Sequence, residues 1–108
     1  MGNEHYQVAL VTVGKMDEAK KIAEALVEEK LAACVNLVER CESIYRWEGR
    51  IVKDSEVLMI VKTHRSCFGR LIERVKALHS YEVPEIIALD ISMGSQSYLD
   101  FLKDALAI

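Results

Sequence analysis

Apolar positions recur along this chain with two periods, and the switches between them mark out the elements. QVALVTVG (7–14) is a nearly unbroken apolar run closed by Gly14, which predicts a strand in the centre of a sheet. Asp17 and Glu18 follow at a helix start, where negative charge suits the amino-terminal end of the helix dipole. Ala19, Ile22, Ala23, Leu26 and Val27 then repeat at helical spacing and form one apolar stripe, predicting a helix over residues 16–30. CVNLVE (34–39) predicts a second strand, continuing irregularly through Cys41 and Ser43 into SIYRWEG (43–49). Gly49 supports a hairpin turn into a third strand, RIVKDSEVLMIVKT (50–63). A second helix is expected from Ser66 to His79, with Phe68, Leu71, Ile72, Val75 and Leu78 on its inner face. Pro84, the only proline, punctuates the exit into a last strand, EIIALDIS (85–92). A short helix is expected from near Ser97, whose spacing to Asp100 fits a capping box.

The order βαββαβ followed by a helix is the split βαβ, ferredoxin-like plan, an α+β (α/β) class with an antiparallel sheet and one domain over 1–108. Hairpin arms of this length would reach ~45–50 Å if straight and should project past the helices. Helices cover one face of such a sheet, so the other face should alternate polar and apolar if it met water. Val8-Ala9-Leu10-Val11 and Val57-Leu58-Met59-Ile60-Val61 do not alternate. Both faces therefore need cover, and another copy of the chain is the economical source.

Composition changes this picture little. A chain of 108 residues, 51% of them apolar, suits a single closed core. No apolar run approaches a membrane span, and Met1 leads into GNEHYQ with no signal-like pattern, so the cytoplasm is the expected location. The formal net charge of −3, with acids interleaved among the basic residues, points away from nucleic acid. Cys34, Cys41 and Cys67 form no CxxC pair, so reduced thiols are expected. The sequence contains no GxSxG, HExxH or GxxxxGK[ST] motif, and a binding protein is expected here, not an enzyme.

LVEEKLAACVN (26–36), YRWEG (45–49), VKT (61–63) and HSYEVPEI (79–86) occur in that order and at a spacing that resembles the CutA family, the divalent-cation tolerance proteins. The resemblance runs from about Val8 to Leu102. It implies a PII-like homotrimer in which sheets form the central interface and long hairpins embrace neighbours. It also implies a role in tolerance or homeostasis of divalent metal ions, with copper the usual candidate and binding or signalling as the mechanism. The family usually reads His-Pro-Tyr where Ser80 stands here, a departure expected to loosen the turn while keeping His79 and Tyr81. A copper ligand set described in some bacterial relatives falls on Val11, Leu78 and His79, so one of its three ligand types is present.

His79 and Cys34 are accordingly the candidate ligands for copper or another weakly bound divalent cation. Cys34 suits copper(I) as a soft thiolate, or serves as a small core hydrophobe. His5 and His64 are expected at the surface, as is Cys67. Trp47, the only tryptophan, lies on a strand expected to be buried. With Glu56, Lys62 and Tyr81 it forms a candidate ligand-binding set, and Tyr45, Glu48 and Glu85 are further members. Resemblance to PII-type proteins implies a cleft between subunits for a small anionic metabolite or nucleotide. The alternative is that these side chains anchor the hairpin and form interface ion pairs, leaving a trimeric scaffold.

Overall fold

The computed structural model describes residues 5–108, so the first four residues, on which the reading of the amino terminus rests, lie outside the described residues. The elements are β1 (Tyr6–Val13), α1 (Met16–Glu28), β2 (Cys34–Trp47), β3 (Arg50–His64), α2 (Arg65–Leu78), β4 (Ile86–Asp90) and α3 (Gln96–Leu106). The four strands form one sheet in the order β2-β3-β1-β4, every neighbouring pair antiparallel. This is the expected ferredoxin-like architecture with a trailing helix.

Directly opposed residues of an antiparallel pair point to the same face. Val11–Met59, Ala9–Val61 and Val13–Val57 therefore make one face, extended by Leu37 and Val35 of β2. Against it α1 buries Ile22 and Leu26, and α2 buries Leu71 and Val75. Each such side chain contributes ~1.5–3 kcal/mol by leaving water, so this layer is the core of the fold. On the other face Val8, Leu10, Leu58 and Ile60 are half-buried, while Ile87 and Leu89 of β4 are 50% and 57% exposed. Here α3 covers one end only, where Tyr98 bears on Cys34 and the charges of Asp100 and Asp104 act on Tyr6. The strands are apolar on both faces, as expected, and one face is only partly covered.

Local endings depart from the expected boundaries for identifiable reasons. α1 stops at Glu28 because Lys30 takes a left-handed φ of 60°. Its amide donates to the Val27 carbonyl at 3.1 Å and the Leu31 amide to Leu26 at 2.9 Å, a Schellman closure without its usual glycine. His64 is buried, a correction to the surface expectation: its Nδ1 accepts the Ser66 amide at 3.0 Å and caps α2. Cys67, also expected at the surface, is buried in the first turn of α2. In α3 the cap is Ser95, whose Oγ accepts the Tyr98 amide at 3.3 Å, so the Ser97–Asp100 box does not form.

The hairpin of β2 and β3 sets the long dimension of the molecule, 45 Å. Glu48 and Gly49 have φ of 51° and 80°, the signature of a two-residue type I′ turn. Between Val38 and Cys41 the pairing slips by one residue around Arg40, which has φ 63°. A slip of one residue exchanges the faces of everything beyond it. Without this bulge Tyr45 and Trp47 would point to the opposite side from Asp54 and Glu56.

Candidate functional site

The bulge places Tyr45 and Trp47 on the same side as Asp54 and Glu56, beyond the end of β1 where the hairpin overhangs the sheet. The turn after α2 closes the other wall. His79 ends α2 in an extended conformation, φ −85° and ψ 141°, and its ring is buried. Its Nε2 donates to the Thr12 carbonyl at 2.8 Å, and its Nδ1 accepts the Tyr81 amide at 3.0 Å. Glu18 Oε2 accepts the Ser80 amide at 2.7 Å and lies 3.5 Å from His79 Nδ1. Proline has no amide hydrogen, so a His-Pro-Tyr sequence could not make the Glu18 bond.

Held in this way, Tyr81 crosses Gly14, where an added Cβ would come within 3.1 Å of its hydroxyl, and donates to Glu56 Oε2 at 2.7 Å. Glu56 is only 6% exposed. Burial first, and then the bond to the Glu56 carboxylate, push the Tyr81 phenol well above its usual range. Tyr45 donates to Asp54 Oδ2 in a matching phenol–carboxylate pair, and that bond is the main cause of the raised pKa of Tyr45. The groove between these pairs has a volume of about 620 Å³ and is lined also by Thr12, Trp47, Glu82 and Glu85. A hollow of about 630 Å³ beside Arg70 and Arg74 is less suited to a ligand, because Glu29 and Glu73 line it too and Arg74 pairs with Glu29 at 2.8 Å.

Three of the four residues expected to bind a ligand thus meet: Trp47, Glu56 and Tyr81. Trp47 is 47% exposed, which corrects the expectation of a buried strand, because the hairpin tip carries it beyond the core. Lys62 is the exception within one chain. It pairs in register with Val8 and Cys34, six residues along β3 from Glu56 and so ~20 Å away at strand spacing, and its Nζ donates to Asn36.

His79 and Cys34 are not brought together either. Cys34 faces the side covered by α3, four ladder positions from the Thr12–Leu58 rung. His79 is correctly placed to hold the turn but has no free lone pair, since the Tyr81 amide occupies Nδ1. Among the described residues, no group of three or more His, Cys, Asp or Glu side chains is arranged to hold a metal ion. Asp54 and Glu82 were not singled out from the sequence. Asp54 carried a usable signal, because it stands two residues from Glu56 on a strand and must share its face.

A ferredoxin-like sheet with an overhanging hairpin and an acidic, aromatic groove at its edge defines the structural class. Residues 7–105 match the family model described as CutA1 divalent ion tolerance protein, and the chain belongs to that family. It is 55% identical over 98 residues to the divalent-cation tolerance protein CutA of Thermus thermophilus, covering 91% of this chain and 95% of that one. It is 51% identical to the chloroplastic protein CutA of Arabidopsis thaliana, again over 91% of this chain but spanning only 54% of the plant protein. Among solved structures, the divalent cation tolerance protein of Thermus thermophilus superposes with a TM-score of 0.91 at 54% identity, covering 93% of this chain and 97% of that one. The periplasmic divalent cation tolerance protein CutA of Archaeoglobus fulgidus also gives 0.91, at 39% identity, covering 94% and 98%.

Proposed function

We propose that this chain serves divalent-cation tolerance as a non-catalytic, homotrimeric binding or signalling module, with weakly held copper the first cation to test. The observation that carries this reading is the match of residues 7–105 to the divalent ion tolerance family, together with a partly uncovered apolar sheet face. Ile87 and Leu89 are too exposed for a lone chain with strands apolar on both sides, and further copies would cover them. The cytoplasm is the proposed location, in keeping with three free cysteines.

A PII-like sensor of a small ligand is the second reading, favoured by the size of the groove and by the lone tryptophan at its rim. Native mass spectrometry of protein taken from cells tests both readings together. The expected species is three times 12.2 kDa with substoichiometric copper or a retained small molecule. A bare 12.2 kDa chain would overturn the assembly, and a bare trimer would leave only a scaffold role.

A further inference from the structure

The groove is acidic and aromatic at once, and this combination restricts what it can hold. Asp54, Glu56, Glu82 and Glu85 all line it, and among the described residues none of its lining side chains is lysine or arginine. An anion would meet like charge at short range with no counter-charge beside it. A metal ion is served little better, because no three donors converge among the described residues. Carboxylates spread around a hollow create a broad negative field without a coordination shell.

The aromatic walls are a separate observation with its own implication. Tyr45 is fixed by Asp54, and Tyr81 by Glu56 and by a tilted stack on His79 with centroids 4.7 Å apart. Both rings are therefore oriented before any ligand arrives, which lowers the ordering cost of binding. Trp47 adds a half-exposed indole at the hairpin tip. A cation over such rings is attracted by their negative faces, most strongly by tryptophan. A volume of about 620 Å³ leaves room for a hydrocarbon body as well as a charge.

We propose that this groove binds a small organic ammonium ion, an amine whose charge is held by Asp54 and Glu56 and whose hydrocarbon body lies on Trp47 and Tyr45. The proposal rests on the reading of the groove as a ligand site and replaces the anionic ligand implied by PII-type relatives with a cationic one. It also explains why four carboxylates and three aromatic side chains share this hollow, an arrangement that core packing does not require.

Fluorescence of Trp47 in the intact protein reads occupancy directly. The probes are n-butylammonium, tetramethylammonium and 1,5-diaminopentane, run at constant ionic strength beside succinate, ATP and copper(II). The amines are expected to give a saturable change, weakened about fivefold or more by Glu56→Gln, which keeps an acceptor for Tyr81 but removes the charge. Asp54→Asn is the second variant, and circular dichroism with sedimentation confirms that each retains fold and assembly. A saturable response to succinate, ATP or copper(II) with none to the amines overturns the ammonium assignment and leaves the ligand-site reading standing. Silence toward every probe, in fluorescence and calorimetry alike, overturns both. An amine response unchanged in both variants places the binding elsewhere and also overturns the proposal.

Discussion

The Tyr81 hydroxyl donates to Glu56 Oε2 at 2.7 Å across 25 residues of sequence, tying the turn after α2 to the start of the hairpin overhang. That bond depends on a chain of others. His79 holds the Tyr81 amide, the Thr12 carbonyl holds His79, and Gly14 leaves the space the phenol crosses. A buried carboxylate with a single phenol partner is a sensitive point, because loss of the partner leaves the carboxylate without its donor.

Tyr81→Phe is therefore expected to destabilise the protein by ~1–3 kcal/mol, read by urea unfolding at fixed protein concentration. The same bond sets an alkaline limit. Burial and Glu56 raise the Tyr81 pKa in the folded state, so the phenol's contribution is complete below its unfolded value near 10 and is lost as pH rises beyond it. Tyr6, Tyr45 and Tyr98 are raised as well, so Tyr81→Phe should flatten only part of the stability loss measured above about pH 10.

His79→Ala removes both an acceptor for the Tyr81 amide and a donor for the Thr12 carbonyl. The expected cost is ~2–4 kcal/mol in guanidinium unfolding, because two backbone groups lose their partner together. Chelation provides the contrast. With no converging ligand set among the described residues, EDTA should leave the melting temperature of the wild-type protein unchanged. A melting temperature that falls on chelation would show a structural metal site.

Much of the architecture was legible because burial enforces period. The apolar runs of β1 and β3 and the stripe Ala19, Ile22, Leu26 could pack in only one way, and the ferredoxin-like order followed. The caps were less legible. Any chain can end a helix through a left-handed residue, and nothing marks Lys30 for that role as a glycine would. The site was half legible. Glu56, Trp47 and Tyr81 were found by residue type and motif, but the bulge at Arg40 decides which face the hairpin residues occupy, and a one-residue slip leaves no compositional trace. Lys62 was grouped with Trp47 through the family resemblance, which gathers these positions in clefts between subunits; within one chain about twelve ladder positions, ~40 Å, separate them.

Lys30 offers a test of the helix closure. Its φ of 60° costs an L-residue ~1–2 kcal/mol, offset in a glycine variant by greater freedom of the unfolded chain. Lys30→Gly should therefore stabilise the protein by ~0.5–1 kcal/mol in urea unfolding, and Lys30→Val should destabilise it. A destabilised glycine variant would show that the Lys30 side chain contributes more than its backbone strain costs.

The two faces of the sheet make opposite predictions for a buried charge. Met59 is 0% exposed, facing α1 and α2 within the chain, while Leu89 on the other face is 57% exposed. Met59→Lys should abolish folding whatever the oligomeric state, since an unpaired ammonium cannot be buried cheaply in that core. Leu89→Lys places its charge in water in the isolated chain and inside the interface of the proposed trimer. The expected result is a native circular dichroism spectrum with a sedimentation mass reduced from three chains to one. Retention of three chains by Leu89→Lys would show that β4 lies outside the interface. An unfolded Leu89→Lys variant would show that this face is needed for folding as well as for assembly.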